Sequence, residues 1–134
     1  MLYYYNIKFT LTFLSGKTMI EHILKKLNEK GWSIVESPRF KGISGLYHNY
    51  KYIIISSKKR KIAIEELTVF DSCEFLKCMG KSIDTRIPVI AICEKMVKDP
   101  IRVPKVPYIK VVLKSDVSSL EYIVEELASE RFEW

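Results

Sequence analysis

Glutamine is absent from the chain, and asparagine occurs only at Asn6, Asn28 and Asn49. With lysine abundant, that depletion of labile amides is a thermophile-like bias; an AT-rich coding sequence produces the same pattern. Cysteine is scarce. Cys73, Cys78 and Cys93 are an odd number without framework spacing. A disulfide scaffold is thereby excluded, and a reducing, cytoplasmic compartment is expected. Cys73 and Cys78 are five apart on an expected helix and point to different faces. The only histidines, His22 and His48, stand apart from them, so no metal site is expected. No apolar run approaches the ~18 residues of a membrane span, so no membrane partner is expected. Met1–Thr18 lacks a basic leader, a long apolar stretch and a small-residue cleavage site, unlike a signal peptide. Ser15-Gly16-Lys17-Thr18 sits where a phosphate-binding loop would end, but such a loop needs glycine at position 11, which is Leu11. The tetrapeptide reads as a helix entry instead.

What remains is a globular composition. The 134 residues are 48% hydrophobic and 28% charged, enough for one domain to fold without disulfides or metal. Residues 1–134 read as a single domain without repeats or linkers. Within 1–18, Tyr5, Ile7, Phe9, Leu11 and Phe13 alternate with polar residues, as in an edge strand. The alternative is an extension upstream of Met19.

Three helices show start signals. Thr18–Glu21 has capping-box form, with Ile20, Ile23, Leu24 and Leu27 on one face and Gly31 as the stop. Asp71–Glu74 opens a second helix, with Leu76, Met79 and Ile83 expected inward and an end near Arg86 forced by Pro88. Ser118–Glu121 opens a third, with Leu120, Ile123, Val124 and Leu127 on one face. Strands are expected at Trp32–Glu36, Tyr50–Ser57, Ile62–Phe70, Val89–Cys93 and Tyr108–Leu113. The second and third form a hairpin with a Lys58–Lys61 tip. The continuous apolar run Val89–Cys93 marks a central strand. Pro100, Pro104 and Pro107 make Lys98–Pro107 an extended connection. The expected fold is α/β: a single layered domain, a central mixed sheet of about five strands flanked by three helices, in the order (β)αβββαββα.

The net charge is +6, but it is not evenly spread. Ser37–Lys61 contains no Asp or Glu and seven cations: Arg39, Lys41, Lys51, Lys58, Lys59, Arg60 and Lys61. The rest has 22 − 7 = 15 cations against 16 anions. The same segment holds Tyr47, His48, Tyr50 and glycines at 42 and 45. Cations neutralise phosphates and aromatic rings stack on unpaired bases. DNA, RNA or another polyanion is thus one expected partner, with Arg39, Lys41, Tyr47, His48, Tyr50, Lys51, Lys58, Lys59, Arg60 and Lys61 as candidate contacts. The blander expectation is a solubilised hairpin edge. Glu121, Glu125, Glu126, Glu130 and Glu133 give the C-terminal helix the opposite sign. They read as a solvated face, or as a site for a basic protein partner or a second copy in a homo-oligomer.

Candidate carboxylates are few. Glu65 and Glu66 are adjacent on one strand and face opposite sides; burial of either face would raise the pKa of its carboxylate. From Met19 to Cys93 the order helix, three strands, helix, strand resembles the restriction-endonuclease-like nuclease core. The resemblance implies a Mg²⁺ site, with Glu21 as the helix acid and Glu66-Leu67-Thr68 where Glu-x-Lys belongs. Thr68 replaces the lysine, and the second strand has no Asp. The resemblance thus implies a nuclease, or a degenerate relative that keeps binding alone. Otherwise no cofactor is expected, and the leading expectation is a non-catalytic binding module.

Overall fold

The structure is a computed structural model that describes residues 16–97 and 105–134, with the side chains of residues 16–18 left out. The strand expected within 5–13 and most of the proline-rich connection lie outside the described residues.

Helix α1 spans Gly16–Glu29. It starts two residues before the expected cap at Thr18. Its stripe of Ile20, Ile23, Leu24 and Leu27 is buried, as the 3.6-residue spacing requires. Gly31, at φ +102°, lets the chain turn out of the helix. Strand β1 follows at Ser33–Glu36. Two short strands, β2 at Arg39–Lys41 and β3 at Tyr47–Asn49, pair only with each other. Three residues are too few to display a period, which is why the sequence conceals this hairpin. Strands β4, Tyr52–Ile55, and β5, Lys61–Phe70, flank the basic turn. Helix α2 is Ser72–Thr85, β6 is Val89–Met96 and β7 is Ile109–Leu113. A 3₁₀ turn over Lys114–Ser119 leads into α3, Leu120–Ser129.

The main sheet is mixed, five-stranded and ordered β1-β4-β5-β6-β7. Strands β1, β4 and β5 form an antiparallel meander, and β6 and β7 add in parallel. The expected α/β class, with three helices and about five strands, is the observed one. Strand β5 lies at the centre. Its Ile62, Ala63 and Ile64 are all buried, so both faces are covered. Ile62 and Ile64 join Ile90, Ile92, α1 and α3 in one core layer. Ala63, Val89, Ala91 and Cys93 join α2 in the other. Fully burying one such side chain is worth about 1.5–3 kcal/mol, so these two layers dominate the stability.

Two local expectations fail for physical reasons. Helix α2 buries Phe75, Cys78 and Ser82, whereas Leu76 (59% exposed) and Ile83 face outward. Phe75, Cys78 and Ser82 have the same helical spacing as Leu76, Met79 and Ile83, and Ser82 satisfies its hydroxyl by donating to the Ile87 carbonyl at 2.6 Å. At α3 the serine cap is replaced by the 3₁₀ turn, with Ser119 Oγ donating to the Asp116 carbonyl. The start of α2 is as expected: Asp71 accepts from the Glu74 N–H at 2.9 Å. Its end at Arg86 is a left-handed residue, φ 61°.

Candidate polyanion-binding cleft

The basic segment divides between two places. In the small hairpin, alternate residues face opposite ways. Arg39, Lys41 and Tyr47 face solvent, with the Arg39 guanidinium 4.2 Å from the Tyr47 ring centroid. Phe40 and His48, directly opposite each other, face the body of the domain.

The hairpin is clamped to the end of α2 by Asp84. Its carboxylate accepts from the Ser44 N–H at 2.8 Å and the Ser44 hydroxyl at 2.7 Å, and meets His48 Nε2 at 2.6 Å. The Ser44 hydroxyl, the Ser44 N–H and His48 hold the Asp84 pKa down at about 2. Gly42 leaves room for that carboxylate, since a Cβ would lie 1.9 Å from an Asp84 oxygen and the clamp would have to shift. Tyr50 does not serve as a surface ring. It is buried, its hydroxyl meets Thr85 Oγ1 at 2.7 Å, and burial pushes its pKa up to about 12. It therefore positions the hairpin base and cannot stack on a ligand. Lys51 is exposed, with its backbone N–H bonded to Glu65.

Lys58–Lys61 belong to the second place. The turn is closed by the Lys59 N–H donating to the Ser56 carbonyl at 2.9 Å, with Lys59 at φ 66°. This turn forms one wall of a cleft of about 560 Å³. Lys59, Arg60 and Lys61 supply cations from the turn, Arg86 from the end of α2, and Arg131 from beyond α3. Phe40, Phe132 and Trp134 supply aromatic surface. No Asp or Glu is among the described residues that line it. Arg60 donates to the Glu130 carbonyl, which ties the turn to the C-terminal segment. Among the described residues, no carboxylate lies within salt-bridge distance of any of the five cations. Arg86 and Arg131 are far from Ser37–Lys61 in sequence, so the charge count along the chain missed them. The available signal was small: Arg131 is the lone cation in the acidic C-terminal stretch.

The candidate carboxylates lie elsewhere. Glu65 faces the α2 side, where Lys81 Nζ approaches it at 3.2 Å. Glu66 faces the opposite layer, 3.9 Å from Lys114 Nζ, and its Oε1 is buried without a hydrogen-bond partner. Glu21 lines a shallow groove with Lys25, Glu36 and Tyr52. Burial first, then the Glu66, Glu21 and Glu36 charges, raise the Tyr52 pKa. Glu21 and Glu66 thus share one neighbourhood, and Glu65 is separated from it by the sheet. Among the described residues, no three His, Cys, Asp or Glu side chains are placed to hold a metal ion. Also among these residues, no helix is long and apolar enough to cross a membrane.

No protein-family model matches the chain, and no curated protein does. Its fold is similar to the crystal structure of a protein of unknown function, AF1548, with a TM-score of 0.53. The two share 10% identity over 86% of this chain and 71% of that one, a likeness that shows the fold alone.

Proposed function

We propose that the chain is a non-catalytic binding module that docks nucleic acid or another polyanion in the cleft between the β4–β5 turn and the C-terminal segment. One observation carries the reading: Lys59, Arg60, Lys61, Arg86 and Arg131 converge without a facing carboxylate. Several lysines elsewhere sit beside acids, as Lys81 does beside Glu65 and Lys30 beside Glu121. Like charges held together repel one another and gain stability from an anionic ligand. The outer hairpin cations Arg39 and Lys41 do not line the cleft and present their charge to solvent on the other face of the hairpin. Fluorescence anisotropy with labelled oligonucleotides and with polyphosphate tests the reading. Binding is expected in the parent chain, and strong loss in the Lys58/Lys59/Arg60/Lys61→Ala variant. Equal affinity of the two proteins, or a defined homodimer with no polyanion affinity, overturns it.

A degenerate nuclease relative is a second reading. It rests on the β1-β4-β5 meander followed by parallel β6, an element order that resembles that nuclease core. The residues present do not fit the Mg²⁺ site that the family implies. Thr68 stands where the lysine would be, and no acidic trio converges among the described residues. Purified chain with Mg²⁺ or Mn²⁺ is expected to leave DNA and RNA intact. Cleavage abolished by Glu66→Ala would restore the catalytic version.

A further inference from the structure

The cleft holds more than charge, and its aromatic surface bears on which polyanion fits. Trp134 is 38% exposed. Its ring packs against Tyr108, with centroids 5.0 Å apart, and against Phe132 at 5.7 Å. The indole is therefore backed by two further rings rather than left loose at the surface. The Arg86 guanidinium lies 6.0 Å from the Trp134 centroid, a cation–π approach from the end of α2. Arg86 is held there by the helix end, where its N–H donates to the Ser82 carbonyl. Phe40 reaches the same cleft from the hairpin, which the Asp84 clamp fixes in place.

Cations and backed aromatic rings side by side in one cleft suit one chemistry. A duplex keeps its bases stacked internally and offers protein only its grooves and phosphates. A sulfated sugar or polyphosphate offers no aromatic face. A single strand offers both phosphates and unpaired bases, each with a π-face. Deepening the polyanion reading, on which this step rests, we infer that the cleft takes an unpaired nucleotide of single-stranded DNA or RNA. Its base stacks on Trp134, and its flanking phosphates meet Arg86 and the Lys59–Lys61 turn. The cleft volume of about 560 Å³ is within the range of small-ligand sites, room for a single nucleotide unit rather than a helix.

The test uses the intact chain and three probes: an eight-nucleotide oligo-dT, a DNA duplex of the same length, and inorganic polyphosphate. Trp32 is 6% exposed in the core, so a ligand-dependent change in tryptophan emission reports on Trp134. Oligo-dT is expected to quench the emission and to bind at least tenfold more tightly than the duplex. Trp134→Ala should weaken oligo-dT roughly five- to hundredfold, the contribution of one stacked base. Trp134→Phe should recover most of that loss, and neither change should alter polyphosphate affinity by more than about twofold, since the phosphate-facing cations remain. Thermal unfolding of both variants shows whether the fold is retained. If the duplex or polyphosphate binds as tightly as oligo-dT without quenching, the single-strand inference falls and polyanion docking stands. If none of the three binds, both fall.

Discussion

Two ends of strand β4 handle charge in opposite ways. At its start, Tyr52 borders a groove where Glu21 and Glu36 are interleaved with Lys25, and Glu66 nearby approaches Lys114. Beyond its end, Lys59, Arg60 and Lys61 meet Arg86 and Arg131 with no acid among the described lining residues. Several surface lysines away from the cleft are likewise balanced by acids. Lys30 pairs with Glu121, Lys110 approaches Glu126 at 3.9 Å, and Lys114 bridges Glu66 and Glu94. These pairs account for part of the acidic face of α3: two of its glutamates hold the chain's own lysines. Exposed pairs of this kind contribute about 0–1 kcal/mol each, so their interest is less in stability than in charge placement. The cleft cations have no such acidic partner among the described residues, and the proposed polyanion site rests on that difference.

The largest effect should come from removing that excess. Lys59/Arg60/Lys61→Ala should lower oligonucleotide affinity roughly a hundredfold at low salt and flatten the slope of log K against log salt by about 2, the loss of about three phosphate contacts. Retention of parent affinity in a titration would place binding elsewhere. Next come changes that loosen the hairpin without touching a cleft cation. Gly42→Ala drives a Cβ into Asp84, and the hairpin carries Phe40 into the cleft. Affinity should fall several-fold with the salt slope unchanged. A changed slope would show that the hairpin carries charge contacts of its own.

Asp84 gives a pH signature. Its pKa in the folded protein is depressed to about 2, below the ~3.9 of an unfolded chain. Its clamp therefore stabilises the fold fully above about pH 4 and loses that contribution as pH falls toward about 2. Asp84→Asn should remove this part of the acid sensitivity, read from unfolding midpoints between pH 2 and 6. Identical pH profiles for the two proteins would show that the clamp contributes nothing. The smallest effect is expected at the balanced end. Lys110→Ala and Lys114→Ala should change oligonucleotide affinity by less than about twofold, since these lysines already face carboxylates. A loss comparable to that of the turn variant would erase the contrast between the two ends.

Sequence periodicity resolved the elements that bury a plain stripe. Helices α1 and α3 were legible because Ile20, Ile23, Leu24 and Leu27, and Leu120, Val124 and Leu127, have no competing face. The α2 face was legible only in part: Met79 packs against the core as expected, but Leu76 and Ile83 do not. Leu76 and Ile83 compete there with Phe75 and Cys78, and a buried serine completes the true stripe through a hydrogen bond that periodicity cannot show. The β4–β5 hairpin was legible from order and turn chemistry, whereas the pairing of β1 with β4 was not, and the β2–β3 hairpin is too short to announce itself. Half of the cleft was visible as Lys58–Lys61. The other half depends on where Arg86, Arg131, Phe132 and Trp134 arrive after folding, and no spacing in the chain encodes that. The acidic candidates show the reverse. Glu65 and Glu66 are neighbours in sequence, and the pleat of β5 sends them to different core layers.

The most direct measurement is the affinity of the parent chain for a short single strand across a salt series. Engagement of four or five cleft cations predicts that log K falls against log salt with a slope of about −3, or roughly sixtyfold between 50 and 200 mM. A slope near zero, or no binding at the lowest salt, would contradict the claim that the cations of this cleft form a polyanion site.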